Sequence, residues 1–316
     1  MDMERMVQMR VVFMGTPAFA VPSLKALAAE HEVALVLTRP DAVRSRGKKL
    51  EPSPVKAAAV ELGLPVLEAN RCTPEVLDAL RAVKADVFCV AAYGCILPDE
   101  VLTMAPLGCV NVHASLLPRW RGAAPIQRSI LAGDAETGVS IMRIGHGVDT
   151  GAYCAQASCT VPGKTADKLT AELADLGGEL LVRTLPALAD GTAAWTEQDE
   201  SLVTHAAKIS KVELRLDPAA SAIDNVRRVL ASSDTAPARC ELADKAVRVT
   251  AAALAGHETV PVKPGAFSIT GKRLYLGCAD GAFEVTSLKP DGKREMPATA
   301  WAAGQRERTG TWSQLA

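Results

Sequence analysis

The sequence predicts an α/β protein, a mostly parallel sheet domain followed by a smaller all-β domain. Three observations carry this expectation. Short apolar runs alternate with helical patterns through the first half. Those runs are continuously apolar, as expected of strands buried on both faces of a parallel sheet. Past the middle of the chain, short strands recur between turns instead, which suggests a small antiparallel barrel or sandwich. A chain of 316 residues has room for two domains of ordinary size.

The elements follow in order. RVVFMG is an apolar run closed by Gly, and Val21–Glu30 has helical periodicity. EVALVLT is the second strand. Helical patterns at 54–62 and 74–83 each begin with Pro, which a first helical turn tolerates. ADVFCVAAYG and GCVNVHA are further strands bounded by turn formers. VSIMRIGHGVDTGAYCAQASCTV reads as two strands joined across a turn, and a long helix covers roughly 166–188. The polar stretch from Asp190 to Lys208 reads as a linker. AVRVTAAAL, PGAFSIT, RLYLGCADG and AFEVTSLKP then supply the strands of the second domain.

Composition excludes several classes. No run approaches the roughly 18 apolar residues of a membrane span. The opening MDMERMVQMR carries acids and no apolar core, so it does not read as a secretory signal. No two of the eight Cys are separated by just two residues, which argues against a zinc ribbon or a thioredoxin-type motif. They read as small buried hydrophobes in a reducing compartment, most simply the cytoplasm. From His205 onward, 16 Lys and Arg stand against 12 Asp and Glu, a net of +4. Residues 1–204 carry 19 against 24, a net of −5. A basic second half suits a polyanion such as RNA, although taken alone a net of +4 reads first as ordinary scatter.

The motifs narrow the chemistry. Gly15-Thr16-Pro17 follows the first strand where a dinucleotide fold would place GxGxxG, and the second strand ends Leu37-Thr38-Arg39 without an acid. Both features disfavour NAD binding. Arg39, Arg44, Arg46, Lys48 and Lys49 crowd one segment against a single acid, Asp41. That segment is a solvated loop or a contact for a phosphate backbone. Asn111 and His113 close a buried strand and, at period two, point to the same side. Polar groups there require partners or a task. Asp149 lies in the turn-rich HGVDTG and joins them only if the fold carries it there. An Asn, His and Asp set without a nucleophile elbow favours direct transfer. An amine would attack a carbonyl carbon, with amide and imidazole donating to the oxyanion and the carboxylate helping to remove the proton.

CVNVHASLLPRWRGAAPI at 109–126, AAYGCILP at 91–98 and GVDTG at 147–151 together resemble the 10-formyl-tetrahydrofolate-dependent formyltransferases. The flanking PRWRGAAPIQRSI and the RGKKL-x-PSPVK stretch are similar to the branch acting on initiator Met-tRNA, and the resemblance also includes the FMGTP start, GDAETGVSIM and LVTHAAKISK. The resemblance is dense over roughly residues 10–215. It implies a Rossmann-like domain at 1–190, a linker at 191–208 and an OB-like barrel at 209–316 that lies along the tRNA. It implies Asn111, His113 and Asp149 as catalytic residues, with 10-formyl-tetrahydrofolate as co-substrate and no metal. Ser115, Leu116, Leu117 and Pro118 match the loop contacting the folate, and Tyr93, Gly94 and Ile96 fall in the run lining the pteridine pocket. Arg46, Lys48 and Lys49 fall in the loop that enters the acceptor arm of the tRNA. A cytoplasmic monomer with no membrane partner is expected. Formyl transfer to an amino-sugar nucleotide, and hydrolysis of the formyl-folate, are alternatives sharing the same trio. A non-catalytic RNA-binding protein is a further one. Three stretches depart from the family pattern, DAVRSRGKKL, TGAYCAQ and ASSDTAPARCEL.

Overall fold

The computed structural model describes residues 8–43, 50–255 and 261–315. The chain divides into two compact units. The first comprises Met1–Pro125, Glu136–Thr160 and Thr170–Ala206. Its centre is β1 (Arg10–Gly15), whose Val11, Val12, Phe13 and Met14 are all fully buried. Parallel to it lie β2 (Glu32–Thr38) on one side and β4 (Val87–Ala91) on the other. β3 (Val66–Glu68) extends the sheet beyond β2, and β5 (Cys109–His113) extends it beyond β4, both in parallel. Two antiparallel strands, β6 (Glu136–Arg143) and β7 (Tyr153–Thr160), complete the edge past β5. The resulting order is β3-β2-β1-β4-β5-β6-β7. The expected parallel sheet is present, and so is the predicted strand pair after it.

Helices α1 (Val21–Glu30), α2 (Pro54–Glu61) and α3 (Pro74–Val83) fall where the patterns place them. Ser53 caps α2 by accepting from the Lys56 N–H at 2.9 Å, with Pro54 in the first turn. α4 (Pro125–Ala132) follows the loop after β5. The long helix α5 spans Ala166–Ala189, one residue beyond its expected end. The polar stretch at 191–208 is bound to the sheet domain at several points. Tyr153 and Thr196 exchange N–H···O=C bonds of 3.1 and 2.8 Å, and His205–Ala206 pairs in parallel with Arg121–Gly122.

The second unit comprises Ile126–Ala135, Val161–Leu169 and Ala207–Ala316. It contains α6 (Ala222–Leu230) and the strands β8 (Arg239–Leu242), β9 (Lys245–Leu254), β10 (Ala266–Thr270), β11 (Arg273–Cys278), β12 (Gly281–Pro290) and β13 (Thr309–Gln314). They run in the order β9-β8-β13-β10-β11-β12, and an additional β9–β12 pairing closes them into an antiparallel barrel. Of the barrel or sandwich left open by the sequence, the barrel is found. Closure removes the exposed edges that a six-stranded open sheet would leave. Phe267, Phe283 and Trp312 fill the core, where Val226 and Val229 of α6 also pack.

None of the eight Cys is in a disulfide. Cys89, Cys109, Cys240 and Cys278 are buried, and burial pushes Cys109 and Cys240 up to about 12. Thiolate is the reactive form. A maleimide at about pH 8 is therefore expected to leave Cys89, Cys109, Cys240 and Cys278 of the native protein unlabelled. Peptide mass spectrometry checks this, and native labelling at Cys109 or Cys240 would contradict it. Among the described residues no helix is long and apolar enough to cross a membrane.

Candidate active site

The site starts from β5. Val110 and Val112 are buried in the core, so Asn111 and His113 take the opposite face. His113 is 5% exposed and both its ring nitrogens meet protein groups. Nε2 donates to the Trp120 carbonyl at 3.0 Å, which requires the proton to sit on Nε2. Nδ1 lies 3.5 Å from Asp149 Oδ2. That separation is long for a hydrogen bond but close enough for strong charge interaction. In the neutral ring, with its one proton on Nε2, Nδ1 presents a lone pair toward the carboxylate. The pair therefore has room for one further proton.

Asp149 reaches this position from the loop between β6 and β7. Its carboxylate also accepts from the Gly122 N–H at 2.9 Å. Gly122 has φ +124°, and a Cβ there would sit 2.8 Å from the Ala206 carbonyl oxygen, so the close pairing with Ala206 requires glycine. The fold thus carries together three residues that lie up to 38 positions apart in sequence. Asn111 and His113 share one strand end, and Asp149 faces the ring.

The sequence matches the formyl transferase family over residues 9–185, and the C-terminal domain of formyl transferases over residues 208–306. The chain belongs to the formyl transferase family. It is 46% identical over 293 residues to the methionyl-tRNA formyltransferase of Methylococcus capsulatus, covering 92% of this chain and 95% of that relative. In fold it is similar to the N-formyltransferase from Helicobacter canadensis in complex with folinic acid and dTDP-3-aminofucose. There the TM-score is 0.65 at 17% identity, covering 92% of this chain and 100% of that one. HypX from Aquifex aeolicus in complex with tetrahydrofolic acid gives 0.65 at 17% identity over 93% of this chain. This chain spans about half of HypX, 47% of its length. At these identities the two structures establish likeness of fold.

Within this formyl transferase, the loop after β5 divides its residues between scaffold and surface. Ser115 is fully buried, and its hydroxyl donates to the Arg119 carbonyl at 2.6 Å. Leu117 is also buried, while Leu116 and Pro118 are half-buried. Ser140 ties the loop to β6, donating to the Ser115 carbonyl at 2.7 Å and accepting from the Leu117 N–H at 3.1 Å. The loop after β4 divides in the same way. Tyr93 is buried and donates to the Ala69 carbonyl at 2.9 Å, and burial holds its phenol well above the usual range. Gly94 and Ile96 are exposed, Gly94 at φ +80°. Ile96 lines an open cavity of about 390 Å³ with Asn70, Arg71, Cys72 and Pro98. Of the seven residues expected to meet the folate, Leu116, Pro118, Gly94 and Ile96 therefore keep side-chain or backbone surface open, while Ser115, Leu117 and Tyr93 are buried. Arg46, Lys48 and Lys49 lie outside the described residues.

Sequence reasoning missed Arg121, Gly122 and Gln198, which surround Asp149. Arg121 and Gly122 stand in the PRWRGAAPIQ stretch already singled out. Gln198 stands in a polar stretch with no periodicity, which gave no signal. Among the described residues no group of three or more His, Cys, Asp or Glu is gathered as a metal site.

Proposed function

We propose that this chain transfers the formyl group of 10-formyl-tetrahydrofolate to the amino group of methionine on initiator Met-tRNA. The observation that carries the reading is Asp149 facing His113 at 3.5 Å on the strand end that also bears Asn111. The co-substrate supplies an activated formyl carbon at this strand end. Leu116, Pro118, Gly94 and Ile96 provide its contact surface. Asn111, through its side-chain amide, and His113, through Nε2–H, donate to the formyl oxygen as negative charge develops on it. For His113 this means exchanging the Trp120 carbonyl for the substrate. The proton lost by the attacking amine passes to the Nδ1–Asp149 pair; the bond from the formyl carbon to the folate nitrogen then breaks, and that nitrogen leaves as the amine of tetrahydrofolate, taking the proton back from the pair. Residues 1–190 perform the transfer, 191–208 connect, and 209–316 lie along the tRNA. The protein acts in the cytoplasm as a monomer.

A formylation assay with charged initiator tRNA beside an amino-sugar nucleotide tests the acceptor. Transfer to Met-tRNA at a kcat/KM at least tenfold above that for the sugar nucleotide is expected, and the reverse order overturns the reading. Salt gives an independent check. Each Lys or Arg on a phosphate contributes about −0.7 to −0.9 to the slope of log affinity against log salt. Replacing Arg46, Lys48 and Lys49 together by Ala is expected to flatten that slope by about 2 to 3 for tRNA. The KM for the folate should stay within about twofold. An unchanged slope removes these three residues from the interface.

A further inference from the structure

We infer that Gln198, itself held by Arg121, is a positioning residue that aims Asp149 at His113. The inference rests on the reading that Asp149 takes part in formyl transfer.

Asp149 adopts φ +53°, in the left-handed region that side-chain-bearing residues enter uncommonly, Asp more readily than most. The carboxylate of a short side chain goes where its backbone points. Gln198 fixes that backbone. Its Nε2 donates both to the Asp149 carbonyl at 2.8 Å and to the Gly151 carbonyl at 2.7 Å. Both protons of one NH2 group are thus spent across the turn that carries Asp149. Its Oε1 accepts from Arg121 Nε at 2.8 Å. Gln198 is 8% exposed and Arg121 5%, so neither has ready water as a substitute partner.

The remaining Arg121 nitrogens reach Glu200 at 2.8 and 3.3 Å, which orients the guanidinium toward Gln198. The Arg121 backbone N–H donates to the Thr204 carbonyl at 2.9 Å, and the next N–H, of Gly122, holds the Asp149 carboxylate. The residue that orients Gln198 therefore adjoins the amide that grips the carboxylate. One short segment sets the aspartate at its backbone and at its oxygen. An amide is required at 198, because a carboxylate would present acceptors to two carbonyl oxygens and an apolar side chain would leave three polar groups unpaired. The hydrogen bonds of the Gln198 side chain go to Asp149, Gly151 and Arg121, so its route to the His113 ring runs through Asp149.

The test uses the full chain, single-turnover formylation of charged initiator tRNA, and two variants. Gln198→Met keeps the side-chain length and packing, and Gln198→Ala removes both. Misplacement of a catalytic group by an ångström costs on the order of 10²-fold. Both variants are therefore expected to lose on the order of 10² in transfer rate, with KM for folate and for tRNA within about threefold. In an Asp149→Ala background the same substitutions should cost less than about twofold, since nothing remains to be aimed. Circular dichroism and thermal melting establish that each variant is folded. A Gln198→Met protein within threefold of wild type overturns the inference, and so does an equal loss in both backgrounds. If Asp149→Ala itself retains a rate within tenfold of wild type, the catalytic reading of Asp149 falls first and takes the inference with it. The two failures are thereby told apart.

Discussion

Replacing Asp149 by Asn is expected to lower kcat for formyl transfer by about 10²–10⁴-fold, and His113→Ala by a similar factor. Asparagine keeps the shape of the side chain and an oxygen for the Gly122 N–H, which donates to the carboxylate at 2.9 Å. What it removes is the charge facing Nδ1 at 3.5 Å and the capacity to take up a proton there. Alanine at 113 removes the ring and leaves the Trp120 carbonyl without its 3.0 Å donor. His113 is 5% exposed, so its removal also opens space in the site. Because neither change touches Leu116, Pro118, Gly94 or Ile96, KM for the folate should move by less than about fivefold, the signature of a loss confined to the transition state. The losses should also be far from additive in the double variant, as the two groups act as a unit. Formylation rates across a range of co-substrate concentrations, for each single variant and the double, measure all three quantities. Activity within tenfold of wild type for either single variant would contradict the assignment.

The second large effect is on stability. Phe283→Ala is expected to destabilise the barrel by about 3–5 kcal/mol, the range for truncating a buried Phe. Phe283 is fully buried on β12 and pairs with Leu276 of β11 and Leu254 of β9. Its ring meets Trp312 edge to face, with centroids 6.1 Å apart and planes at 89°. Trp312 is in turn anchored by Nε1 donating to the Gly277 carbonyl at 3.0 Å, so it cannot swing into the vacated space without giving up that bond. Hydrogen exchange of amides in β11 and β12 reads the local cost. At 1.4 kcal/mol per factor of ten, a protection loss of about 10²–10³·⁵ is expected, and one under tenfold overturns the prediction.

How much was legible follows from the physics of each element. β1 could be placed from RVVFMG because a strand covered on both faces must be apolar throughout, and its four central residues are fully buried. α2 and α3 could be placed to within a residue because Pro opens their first turns and apolar positions recur at helical spacing. Asn111 and His113 stood out because polar residues closing a buried strand demand a reason. The 191–208 stretch was opaque for the opposite reason. It is held by backbone pairing, such as Tyr153 with Thr196 and Gly122 with Ala206, and backbone bonds leave no mark on side-chain patterns.

The residues alone therefore determined the class of fold, the order of its strands and helices, and a short set of polar groups with transfer chemistry. They did so because burial and helical periodicity are local properties, written within a few residues of one another. Tertiary structure alone decided that Asp149 faces His113, that Ser115 and Tyr93 are buried in the scaffold while Ile96 is exposed, and that Gln198 and Arg121 stand behind the aspartate. Those facts depend on which distant segments the packed sheet brings within 3 Å or so, a distance scale set by hydrogen bonds and not by sequence separation.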